Sequence, residues 1–257
     1  MATMTNEKPF ILQKANTDAP GKEDGVFRYG KGAHIICVTE EAGKPKNLDA
    51  LRNEIRLGLG NVIPMWASGV TLYWRFNARS VRAFADPEGV KNRVWTLLGR
   101  AIDQWAEACP IRFAERQQGW DFEIAIRNAP DCDASGCVLA SSFFPDSGQH
   151  KFYIYPTMFE QTEQEQVETM VHELGHVFGL RHFFANVSET DLASVLFGAD
   201  VKFTIMNYGD ESILTPQDRS DVKKVYEMAR TGQLTAINGT QIKLMRPFSS
   251  IGFKAPA

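Results

Sequence analysis

Residues 172–182 read HELGHVFGLRH, and this stretch limits the fold more than any other part of the chain. A helix through it stacks residues four apart on one face, so His172 and His176 lie one above the other with Glu173 beside them. Gly179 supplies the left-handed backbone that ends a helix, and the turned chain can bring His182 back to the same point. Val167, Met170, Val171, Leu174, Val177 and Phe178 form one apolar stripe at helical spacing, and the two helical histidines lie on the side opposite it. The fold therefore has to pack one side of a short helix while gathering three imidazoles around a single point.

Three neutral imidazoles with one open position are the donor set of a catalytic tetrahedral zinc ion. A carboxylate next to the first of them is placed to act as base on whatever fills the open position. The expectation is one Zn2+, with His172, His176 and His182 as ligands. The competing reading is a set of ordinary helix-surface histidines, and it has to explain why three of the chain's five histidines fall within residues 172–182. For calcium there are Asp131 and Asp133 in a loop, a weak signal because calcium takes six to eight oxygens. A solvated acidic turn accounts for the same two residues.

With 257 residues, 44% of them hydrophobic, and a formal charge of −3, the chain can bury a full core and offers no basic patch for nucleic acid. No apolar run is long enough to span a bilayer, and the polar N-terminus has no secretory apolar segment. Neither a nucleic acid nor a membrane partner is expected, and the compartment stays open. Four cysteines do not make a disulfide scaffold at this length. Cys132 and Cys137 bracket DCDASGC, where a small-loop disulfide and two free thiols are equally compatible with the sequence, and Cys109 reads as a small packed hydrophobe.

The organisation expected is an N-terminal extension over 1–62, a catalytic domain over 63–230 and a tail over 231–257. The extension holds a short apolar run at 34–38 and a helix at 48–59. The domain opens with a strand at 70–76, then a long helix that starts with Asp86 as N-cap and Pro87 in the first turn. Strands follow at 111–114, 121–127, 138–144 and 151–155. Thr162 and Glu165 make a capping box for the histidine helix, and Thr215, Pro216 and Asp218 open a last helix in the same way. Strands grouped around one long helix and followed by two more helices indicate an α+β domain.

The histidine stretch, together with Thr204-Ile-Met-Asn-Tyr208, resembles the metzincin clan of zinc endopeptidases, and the order of elements from Trp66 to about Met228 is similar to a matrixin or astacin-like catalytic domain. The subfamily is left open: Phe183 follows the third histidine where none of the named subfamilies has phenylalanine, and Tyr208 is placed as in astacins and serralysins. The resemblance implies an α+β, metzincin-like zincin fold, with a twisted mixed sheet, a long backing helix, a zinc-binding active-site helix and a C-terminal helix. It implies a zinc metalloendopeptidase with Glu173 as general base, Met206 as the hydrophobic floor of the metal and Tyr208 assisting at the oxyanion. Residues 138–143 resemble the edge strand to which such enzymes pair a substrate backbone, which makes Leu139 and Ala140 substrate-binding candidates; an internal strand is the alternative. The partner is then a protein or peptide and the chain a monomer. The rival reading is a zinc-binding protein of the same fold that serves as a latent or interaction module, with residues 1–62 over the site. Cys37 lacks the surrounding sequence of the matrixin cysteine switch and reads as a buried structural thiol. Similar peptidases are usually secreted.

Overall fold

The computed structural model describes residues 35–36, 62–133, 136–181, 204–206, 213–237 and 239–251. Among them the elements run β1 (Ile35–Ile36), β2 (Val62–Trp66), β3 (Thr71–Phe76), α1 (Ala78–Val81), α2 (Pro87–Trp105), β4 (Arg112–Glu115), β5 (Phe122–Ile126), β6 (Asp131–Asp133), β7 (Gly136–Val138), β8 (Ala140–Ser141), β9 (His150–Ile154), α3 (Glu163–Val177), α4 (Pro216–Arg230), β10 (Ala236–Ile237), β11 (Thr240–Met245) and α5 (Phe248–Ile251). Residues 1–34, which include most of the expected extension, and the expected helix at 48–59 lie outside the described residues. No helix among the described residues is long and apolar enough to cross a membrane.

The main sheet has the order β4-β3-β5-β9-β8 and is mixed, parallel throughout except for β8, which runs antiparallel to β9. β3 alternates half-buried and buried residues, whereas all five residues of β5 are buried, as a central strand covered on both faces requires. Helices α2 and α3 pack together against this sheet. Val90, Val94, Leu97, Leu98, Ala101 and Trp105 supply the buried side of α2, and Trp105 donates its indole N–H to the Val171 carbonyl of α3 at 3.1 Å. The α3 stripe read from the sequence is fully packed: Val167, Met170, Val171, Leu174 and Val177 are 0% exposed and Phe178 1%. Each such side chain stabilises by about 1.5–3 kcal/mol, so packing rather than helix propensity holds a helix of this length.

Two features depart from the sequence reading. The run at 138–144 is not one strand. β7 pairs with β6 and β1, then β8 pairs with β9, so the chain exchanges partners at Leu139. The β6–β7 hairpin is closed by a Cys132–Cys137 disulfide between directly opposed residues, and this settles the choice the sequence left open. The second departure is at the C-terminus. β10 and β11 form a hairpin, and β11 adds parallel to β2 with Gln241 opposite Val62 and Met245 opposite Trp66. Beyond it, Asp121 accepts from the backbone amides of Tyr73 and Ser249, both at 2.7 Å. Burial pushes the Asp121 carboxyl above the usual carboxylate range, against the opposing pull of those hydrogen bonds.

Candidate metal centre

The register of α3 is fixed at its start by the capping box. Thr162 accepts from the Glu165 amide at 3.4 Å, and the Glu165 carboxylate accepts from the Thr162 amide at 2.8 Å. Three turns on, His172, Glu173 and His176 are 9%, 2% and 0% exposed. The face opposite the apolar stripe is therefore covered as well, and these are buried histidines rather than groups on an open side. The two imidazoles meet edge to face with centroids 4.9 Å apart, and Phe144 meets His176 in the same way at 5.4 Å.

The helix ends as Gly179 dictates. Gly179 has φ +94°, its amide bonds the His176 carbonyl at 2.8 Å, and the Leu180 amide bonds the Gly175 carbonyl at 2.9 Å. These are the two bonds of a Schellman motif. A Cβ at Gly179 would also lie 2.6 Å from the Pro64 carbonyl of β2, so glycine is required there both for its conformation and for that close approach. Two further carbonyls left over at the helix end are taken by side chains from distant elements: Trp66 donates to Val177 at 2.7 Å and Tyr226 to Phe178 at 2.7 Å. Burial raises the Tyr226 phenol far above its ordinary range, so it stays a donor.

This turn carries the Leu180 carbonyl back to within 2.8 Å of His176 Nδ1, and the Ile205 carbonyl lies 2.7 Å from His172 Nδ1. A carbonyl can only accept, so both Nδ1 atoms donate, and in the neutral rings that a metal requires the lone pair is on Nε2. That tautomer, with the second nitrogen held by a carbonyl, is one that zinc-binding imidazoles adopt. The donor chemistry of His172 and His176 fits a zinc ion bound through Nε2. His182, the third expected ligand, and Tyr208 lie outside the described residues.

Met206 reaches this helix where the chain can come closest. A Cβ on Gly175 would meet the Met206 sulfur at 2.4 Å, and Met206 is 4% exposed. Leu139 and Ala140, also buried, lie beside the same helix: β8 is the last strand of the main sheet, and Ser142 just beyond it donates to the Glu173 carbonyl at 2.9 Å. The structure thus brings His172, Glu173, His176 and Met206 together and sets the edge strand alongside. Sequence reasoning missed the carbonyls of Ile205 and Leu180 and the roles of Ser142 and Phe144. Asp131 and Asp133 belong to β6, and no group of three or more His, Cys, Asp or Glu side chains suited to a metal occurs among the described residues; calcium gains no support.

No curated protein matches the chain. Among solved structures it is similar to high choriolytic enzyme 1, a hatching enzyme zinc-protease from Oryzias latipes (Medaka fish), at 12% identity and a TM-score of 0.41, with 63% of this chain and 94% of that one covered. It is similar to myroilysin at 14% identity and a TM-score of 0.41, covering 63% and 95%. The Matrixin family profile matches residues 66–227, from the last residue of β2 to a point within α4. That span is more than half of the chain and decides the subfamily that the residues alone left open. The chain belongs to the matrixin family of zinc metallopeptidases.

Proposed function

We propose that the chain is a zinc-dependent endopeptidase that takes its protein or peptide substrate in extended form along β8 and uses Glu173 as general base. The observation that carries the reading is the pair of backbone carbonyls on the Nδ1 atoms of His172 and His176. They hold two adjacent buried imidazoles in the same tautomer, with Nε2 of each as the metal-binding nitrogen. Held there with His182, zinc would supply Lewis acidity at neutral pH. Glu173 accepts a proton from the attacking water and returns it to the leaving amine. Tyr208 is the candidate donor to the oxyanion. The outer edge of β8 at Ala140, with Leu139 just before it, is the candidate for main-chain hydrogen bonds to a peptide, which would give affinity with little sequence preference. Metal analysis and casein cleavage test the reading together. One zinc per chain and cleavage are expected, both lost in His176→Ala. A zinc-free protein after zinc supplementation would end it.

A second reading, that residues 1–62 restrain the site, is favoured by one contact. β1 pairs parallel with β7 through Ile35 opposite Cys137 and Ile36 opposite Val138, immediately before the candidate substrate residues Leu139 and Ala140. Removal of residues 1–60, which spares β2 and its pairing with β11, should raise specific activity. Unchanged activity in a folded, zinc-loaded product would reject it.

A further inference from the structure

We propose that Thr204 and Asp218 are positioning residues for the metal ligand His172, an inference that rests on the zinc reading. The His172 ring takes its orientation from the Ile205 carbonyl, 33 residues further along the chain. Its plane is therefore set by whatever holds residues 204–206 in place. A parallel bridge between Thr204 and Ile213 fixes the backbone on one side. The other tie is a side-chain bond: the Thr204 hydroxyl donates to Asp218 Oδ1 at 2.6 Å and accepts from the Met206 amide at 3.4 Å.

Asp218 is already the closing member of the α4 capping box, yet the cap uses only one of its oxygens. Oδ2 accepts from the Thr215 amide at 2.8 Å and the Thr215 hydroxyl at 2.9 Å. Oδ1 is left for Thr204. A hydroxyl bonded to a carboxylate at this distance, with Thr204 only 9% exposed, is among the stronger neutral-to-ion hydrogen bonds. The arrangement ties the start of α4 to Thr204, places Ile205 next to it, and so sets the acceptor that selects the tautomer of His172. Met206, seated in the space left by Gly175, closes the same three residues against α3.

The test compares Thr204→Val, Thr204→Ser and Thr215→Ala in the full-length chain, with zinc affinity measured by chelator competition and folding by thermal melts. Partners that orient a metal-bound histidine typically change metal affinity by about 10–100-fold. Thr204→Val should weaken zinc by that order, because it removes the hydroxyl and keeps the backbone bridge, and Thr204→Ser should restore it. Thr215→Ala removes the cap without touching Oδ1 and should lower the melting midpoint while leaving zinc affinity near wild type. Should Thr204→Val fail to fold, Thr204→Ala takes its place. Wild-type affinity in the variant without the hydroxyl, no rescue by serine, or equal weakening by Thr215→Ala would each overturn the proposal. A second readout needs no metal: in zinc-free protein the His172 Nδ1–H should give a slowly exchanging ring signal by NMR, kept in Thr204→Ser and lost in Thr204→Val. A wild type that takes up no zinc on supplementation yet shows this signal would sink the zinc reading and uphold the contact; a wild type that binds zinc, with affinity and ring signal both unchanged by Thr204→Val, would sink this inference alone.

Discussion

His172 and His176 sit one turn apart on α3, yet different parts of the chain hold them. His176 bonds the carbonyl of Leu180, four residues on, inside the turn that Gly179 makes. His172 bonds Ile205, 33 residues on, and depends on how that segment is anchored to α4. The first contact can form as soon as the helix has ended; the second requires residues 33 apart in sequence to meet and another helix to dock. A metal motif contiguous in sequence is therefore only half self-sufficient. Its C-terminal half carries its own support, and its N-terminal half borrows support from tertiary structure.

The largest expected effect leaves both supports alone. Glu173→Gln keeps the shape of the side chain and the backbone carbonyl that Ser142 bonds, but the amide cannot act as a base. Peptidase activity should fall by about a hundred- to ten-thousand-fold, with zinc content and melting behaviour unchanged. If zinc is lost along with activity, the ligands are not held independently of Glu173 and the comparison between the two histidines has to be redrawn.

Gly179→Ala attacks the local support directly. A non-glycine residue in the left-handed region costs about 1–3 kcal/mol, and here the added Cβ would also meet the Pro64 carbonyl at 2.6 Å. Gly232→Ala is the control, since Gly232 has φ +75° and nothing within 4 Å of the added atom. Denaturant unfolding should show the larger loss for Gly179→Ala, and chelator competition should show weaker zinc in that variant only. Equal losses in the two would mean that the approach to β2 is not tight. Wild-type zinc affinity in Gly179→Ala would mean that the turn does not support His176.

The same division separates what could be read from the sequence from what could not. Both capping boxes, at Thr162 with Glu165 and at Thr215 with Asp218, and the helix Pro87–Trp105 are where local pattern places them, because caps and apolar periodicity involve residues a few positions apart. The pairing of β2 with β11 joins residues near opposite ends of the domain, through a segment containing Pro64 and another with mostly exposed or half-buried side chains. Parallel pairing over that distance has no local signature. Residues 138–144 are continuously apolar or small, so the exchange of strand partners at Leu139 leaves no mark in them. At the candidate site, His172, Glu173, His176 and Met206 could be proposed from the sequence because side-chain identity carries the chemistry assigned to them. The carbonyls of Ile205 and Leu180 could not, since every residue has one and only the fold says which is near a ring.

The smallest effect concerns the end of α3 away from the ligands, where exposed charges replace buried carbonyl contacts. Glu163, in the first turn, pairs with Arg93 at 3.4 Å and with Arg100, both on α2. The hydrogen bond from Arg93, then the positive charges of Arg93 and Arg100, lower its pKa, and the adjacent helix N-terminus acts in the same direction. A carboxyl with a lowered folded pKa adds stability above its unfolded value, near 4.3 for a glutamate, and loses it as pH falls through the folded value. The stability gap between wild type and Glu163→Gln, followed by urea unfolding, should therefore be present at neutral pH and close on acidification below the ordinary glutamate range. It should be small and shrink with salt, because exposed ion pairs are screened. Zinc affinity should not move, since neither carbonyl that orients an imidazole is near Glu163 in sequence. A gap that widens on acidification, or a change in zinc affinity, would show that this end of α3 is coupled to the metal centre after all and that His172 depends on support from α2 as well as from Ile205.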